Sequence, residues 1–172
     1  MSSEDIIKSI GKYAQAYEEL QNWQDSSALI PKGDQKTGCI GEFYAYIYLK
    51  NKYPVCEIIY GGHSEKGWDI KVKSNNFSER IQVKTVSEYS TTRVISPIHH
   101  GWNQLFIIYL DRGFKPQGFW IIDDISIAPQ NKVLKNRKCM RPGNNNSGSK
   151  DIPFGQNRVA EIISAVQREC SA

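Results

Sequence analysis

The chain predicts an α/β (α+β) fold with a central mixed sheet flanked by helices. Three observations carry this. Residues 67–86, GWDIKVKSNNFSERIQVKTV, alternate apolar and polar side chains on either side of a polar turn, the period of a half-buried hairpin. The segments LFIIYL (105–110) and GFWIID (118–123) are near-continuous apolar runs, which suit strands covered on both faces. Residues 3–24, 38–50 and 157–168 instead repeat apolar positions every three or four residues, the helical period.

The first helix carries a stripe of Ile6, Ile10, Tyr13, Tyr17 and Leu20, continued by Trp23. Ser2 or Ser3 can cap it, and Glu4 and Asp5 complement its N-terminal dipole. Its stripe predicts packing on the core or on a second subunit. Pro31 and Gly33 break the loop that follows, and Pro54 stops the second helix. Residues 56–60 read as a short strand turned by Gly61 and Gly62. With SNNF as the turn of the next hairpin, Asp69 falls opposite Lys84, Lys71 opposite Gln82, Ile70 opposite Val83 and Val72 opposite Ile81. That register collects apolar side chains on one face and polar ones on the other. After Val86 an irregular stretch is expected to lead into a short helix near His99 and His100. Residues 131–150 hold six basic residues and no acid, which reads as a mobile basic loop. In the last helix, Val159, Ile162, Ile163 and Val166 form the buried stripe.

With 172 residues the chain suits one domain with a full core. A net charge of +4 permits a polyanionic partner without demanding one. Cys39, Cys56, Cys139 and Cys170 form no C-x-x-C pair, so reduced thiols of a cytoplasmic protein are expected rather than a disulfide frame or a zinc site. No signal-peptide pattern and no apolar run of about 18 residues is present, so no membrane association is expected. P-loop, Gly-x-Gly-x-x-Gly and Ser/His/Asp patterns are absent, which argues against nucleotide binding and triad hydrolysis.

Two features carry chemistry. The polar face of the hairpin brings together Asp69, Lys71, Gln82 and Lys84. On the second helix, Glu42 shares a face with Ala45, Tyr46 and Leu49. A carboxylate there is costly to bury unless something pairs with it. Either Glu42 lies at the edge of the stripe and reaches solvent, or it points at a cation shared with Asp69.

A helical glutamate (GEFYAYIYL), an aspartate entering a strand (GWDIKV) and a strand with Q-x-K (IQVKT) resemble the PD-(D/E)XK, or restriction-endonuclease-like, nuclease superfamily. The resemblance spans residues 38–110, and twelve residues separate Asp69 from Gln82, a common length in that family. It implies an αβββαβ core and a magnesium- or manganese-dependent endonuclease acting on DNA, such as a small type II restriction or defence enzyme. Two departures stand out: Trp68 precedes Asp69 where the family pattern has proline, and Gln82 replaces the usual acid.

The resemblance implies metal ligands at Glu42, Asp69 and Gln82, with the Val83 carbonyl beside them, and Lys84 as the residue that orients or deprotonates the attacking water. Magnesium accepts such hard oxygen donors and keeps several waters. Gln for Glu removes one negative charge and should weaken metal binding. Lys71, Ser87 and His100 are candidate contacts to nucleic acid, and His63 and His99 are weaker ones. Lys132, Lys135, Arg137, Lys138 and Arg141 of the basic loop would reach flanking phosphates. Two-strand cleavage suggests a homodimer. The alternatives are a catalytically weak or inactive DNA-binding module that retains the fold, and a structural protein whose polar face is only solvated.

Overall fold

The computed structural model describes residues 3–31, 35–62, 65, 67–130, 132–143 and 152–171, without the side chains of residues 3–11 and 14. The capping and first-turn side chains of the first helix, Ile6, Ile10, His63 and residues 144–150 therefore lie outside the described residues. Helix α1 spans Ser3–Ser26 and α2 spans Lys36–Lys52. Strands β1 (Glu57–Tyr60), β2 (Ile70–Ser74), β3 (Phe77–Ser87), β4 (Gln104–Leu110) and β5 (Pro116–Ile122) precede α3 (Val159–Ser171). The strands form one five-stranded mixed sheet in sequence order. Only β3 and β4 among these neighbours run parallel.

Alternation in the strands sorts the core into two clusters. Ile70, Val72, Ile81, Val83, Phe106 and Ile108 lie on one face with Ala45, Tyr48 and Leu49 of α2 and Ile162 of α3. Leu105, Ile107 and Trp120 lie on the other with Ile95, Ile98, Trp102, Leu134, Cys139 and Phe154. β4 is buried on both faces, as its unbroken apolar run requires. Asn157 closes the outer edge of β5, where its Oδ1 accepts from the backbone N–H groups of Phe119 and Val159. It thereby joins the start of α3 to the sheet.

The hairpin register differs from the expected one by two residues: Ile70 faces Ile81, Lys71 faces Arg80 and Val72 faces Glu79. The turn is the two-residue pair Asn75 and Asn76, a composition that favours tight hairpin turns. This frees Phe77 to enter β3 opposite Ser74 and to pack its ring 5.4 Å from that of Tyr53. A shift of two leaves every side chain on its original face.

The connection from β3 to β4 carries no helix, contrary to the expected short helix near the histidines. Pro97 and the β-branched Thr91, Thr92, Val94 and Ile95 disfavour one. Its backbone instead pairs with residues 134–139 of the basic segment. Ile95 N–H donates to Arg137 O (2.7 Å), Ile98 and Leu134 exchange bonds of 3.0 Å, and Cys139 N–H donates to Arg93 O (2.9 Å). The described part of that segment is thus a pinned ribbon rather than the expected mobile loop, with Leu134 and Cys139 buried. All four cysteines are free thiols. Among the described residues, no helix is long and apolar enough to cross a membrane.

Candidate active site

β3 outruns β2, and the site is built where it does so. Regular pairing ends at Ile70 and Ile81. Asp69 sits one residue beyond, its backbone held by Asp69 N–H to Ile81 O (2.8 Å) and Gly61 N–H to Asp69 O (2.7 Å). Its side chain then takes the place of a strand partner: Oδ2 accepts the Val83 N–H at 2.7 Å. The N–H and C=O of one strand residue point to the same edge, so the Val83 carbonyl also opens toward Asp69.

The helix approaches from the other side. A Cβ on Gly41 would lie 1.8 Å from Thr85 Oγ1 and 2.7 Å from Thr85 Cγ2. Only glycine permits this contact, and it brings the next residue, Glu42, to the open edge of β3. Glu42, Asp69, Val83 and Lys84 line one cleft of about 470 Å³. Lys36, Thr85, Val94 and Ser96 are among the other residues of its walls. Gln24 fixes the mouth of α2: it is fully buried, its amide donates to Pro31 O at 2.5 Å, and its Oε1 accepts from Lys36 Nζ.

The three ionisable groups perturb one another. Burial, then the Asp69 charge, push the Glu42 carboxyl up to about 8, against the lowering pull of Lys84. Burial raises Asp69 above the usual carboxylate range, opposed by Lys84, the Val83 N–H and His99. Burial lowers Lys84, opposed by the two carboxylates. Two water-shielded carboxylates that repel each other are a site a cation would relieve. The donor set fits a hard divalent ion: two carboxylates and one carbonyl leave room for the waters magnesium retains. Among the described residues, no cluster of three or more His, Cys, Asp or Glu forms elsewhere or here.

The remaining candidates divide. Gln82 is 1% exposed, and its Oε1 accepts from the His99 N–H at 3.1 Å, so it joins β3 to the crossover and does not line the cleft. Lys71 is half-buried on β2 opposite Arg80, outside the cleft. Ser87 is buried at the end of β3. His100 lines a separate cleft with Trp102 and Pro129, and His99 is the histidine near Asp69. Lys132, Lys135, Lys138 and Arg141 are exposed and Arg137 is half-buried. The ribbon reaches the site through Val94, which bridges to Lys138 and lines the cleft. Sequence reasoning missed Gly41, Thr85, Lys36 and Ser96. A glycine inside the helix, directly before the glutamate, was the one available sign of a close approach.

No family model and no curated protein matches the sequence. Among solved structures, the chain is similar to a bacterial homing endonuclease, I-Ssp6803I, at 12% identity and a TM-score of 0.43, over 82% of this chain and 100% of that one.

Proposed function

We propose that this chain is a divalent-metal-dependent endonuclease that hydrolyses phosphodiester bonds in DNA. The observation that carries the proposal is the convergence of Glu42, Asp69 and Lys84 in one cleft at the open edge of β3. Glu42, Asp69 and the Val83 carbonyl would hold the metal. A bound magnesium or manganese ion neutralises charge on the attacked phosphate and favours deprotonation of water. Lys84, with its proton affinity lowered by burial, orients the attacking water and takes its proton. Its charged form also offsets the negative charge that grows on the phosphoryl oxygens. The basic ribbon beside Val94 would meet phosphates of the same strand.

Cutting both strands at one locus calls for two such sites, most simply in a two-fold dimer. Tyr13 and Trp23 of α1, 69% and 65% exposed, are the aromatic surface for that contact. The second reading, a DNA-binding module without catalysis, draws on Gln82, whose carboxamide oxygen already serves His99. Incubation with supercoiled plasmid and manganese separates the two. The endonuclease reading expects nicked and linear products that disappear with chelator. Plasmid retarded in a gel but never cut would favour the binding module.

A further inference from the structure

Glu42 and Asp69 line two clefts. The first is lined by Lys84 and Ser96, groups suited to a phosphate. The second, of about 650 Å³, differs in character. Tyr46, Tyr60, Ile30, Pro31 and Ile58 line it, and its charged groups among the described residues are Glu42, Asp69 and Glu65. No lysine or arginine among the described residues faces it. Its size lies within the usual range for sites that enclose a small molecule.

We propose that this second cleft receives one unstacked nucleobase adjacent to the scissile phosphate, so that the protein prefers duplexes in which that nucleotide is unpaired. The proposal rests on the nuclease reading and names its substrate class. With Glu42 and Asp69 committed to the metal, the cleft offers a phosphate no cation of its own among the described residues, while the Glu65 carboxylate can accept from the exocyclic amine of an uncharged base. The Tyr46 and Tyr60 rings are nearly parallel, 22° apart with centroids 5.2 Å apart. The Tyr60 hydroxyl donates to Leu29 O at 3.0 Å, which fixes that ring. Such a stack is a platform for any base, because every base has a π face. Gly61 and Gly62 form the rim, where side chains would obstruct a strand. Because the carboxylates are shared, a base in this cleft belongs to a nucleotide whose phosphate reaches the metal ligands. Extruding a base opposes stacking and pairing, least so at a bulge or mismatch, and this sets the expected preference.

The test uses the full chain and two labelled duplexes, identical except for a single-nucleotide bulge in one. Binding is followed by anisotropy in the Lys84→Ala protein with manganese, and cleavage positions are mapped with wild type. The bulged duplex should bind at least tenfold tighter and be cut beside the bulge. Two variants test the cleft. Gly62→Leu narrows it at a position where an added Cβ meets no atom within 4 Å, and Tyr46→Leu removes the stacking face. Both should lose the preference while manganese affinity by calorimetry stays at wild type. Equal binding of both duplexes by protein that binds manganese overturns this inference and leaves the nuclease reading standing. A preference that survives both variants also overturns it. Protein that neither binds manganese nor cuts either duplex overturns both.

Discussion

Asp69 Oδ2 accepts the backbone N–H of Val83 at 2.7 Å, a side-chain bond where the sheet has run out of strand. One carboxylate thus closes the backbone with one oxygen and leaves the other for a cation. Asparagine can keep the first role and loses the charge. Asp69→Asn should therefore fold with near-wild-type stability, lose manganese affinity by calorimetry and lose cleavage. Asp69→Ala leaves the Val83 N–H without its partner and should be destabilised by about 1–3 kcal/mol in denaturant melts. Equal stability of the two variants would refute the backbone role, and unchanged metal affinity in Asp69→Asn would remove Asp69 as a ligand.

Glu42 gives the metal-free protein a pH dependence of definite sign. Its carboxyl is raised from 4.5 to about 8, so the fold favours the protonated form. Below pH 4.5 folded and unfolded chains both hold the proton, and Glu42 carries no penalty. As pH rises toward 8 the unfolded chain releases it first, so stability falls across that interval and stays low above it. Glu42→Gln should match wild type at pH 4 and exceed it at pH 8.5, by on the order of a few kcal/mol. Manganese should raise the melting temperature of wild type at pH 8.5 and leave the variant unmoved. A variant less stable than wild type at both pH values would contradict the charge argument.

Lys84 lines the cleft with Asp69 and Glu42, and burial lowers its proton affinity against the pull of both carboxylates. Lys84→Ala should reduce cleavage at least 100-fold, within the range for losing a positioned acid or base. Metal affinity should not weaken, since the lysine competes with a cation for the same carboxylates. Manganese calorimetry and single-turnover cleavage separate these effects. Wild-type cleavage in the variant would remove Lys84 from the mechanism.

Gly41 tests how the helix delivers Glu42. Gly41→Ala forces a methyl against Thr85 Oγ1, so α2 must shift. Overpacking of this kind costs about 1–3 kcal/mol. Cleavage should fall further than stability does, because Glu42 moves with the helix. Adding Thr85→Ala removes the two nearest clashing atoms and should restore part of both. Failure of the second substitution to restore either would show that the contact does not set the helix position.

The elements of this fold were legible from their apolar patterning: alternation in β2 and β3, unbroken apolar runs in β4 and β5, and spacings of three and four in the helices. The sorting of side chains between the two sheet faces survives the register error of two, since only odd shifts exchange faces. The expected polar grouping does not: Asp69 and Lys84 line the cleft, while Gln82 is buried against the crossover and Lys71 lies outside the cleft. The error itself came from the turn, where Phe77 joins the strand through a contact with Tyr53 that is distant in sequence. The fate of Gln82 was illegible for the same reason: its partner, His99, arrives from the crossover. The basic segment was misjudged because its composition is that of a solvated loop. Its order comes from two buried residues, Leu134 and Cys139, and from backbone pairing to residues 93–98.

That pairing gives the last prediction its form. The ribbon is fixed beside the cleft before any nucleic acid arrives, with Lys138 opposite Val94. Its cations should meet the backbone with little ordering cost and set affinity more than rate. Changing Lys132, Lys135, Lys138 and Arg141 to Gln removes four exposed charges while Leu134 and Cys139 keep the ribbon in place. Duplex affinity should fall, and the slope of log affinity against log salt should flatten by about 0.9 for each lost phosphate contact. Arg137, half-buried in the ribbon, is best changed separately, since its loss also alters packing. Cleavage at saturating duplex should change far less than affinity, because Glu42, Asp69 and Lys84 stand on other elements. An unchanged salt slope in the fourfold variant would place the phosphates elsewhere and leave the ribbon as a wall of the cleft alone.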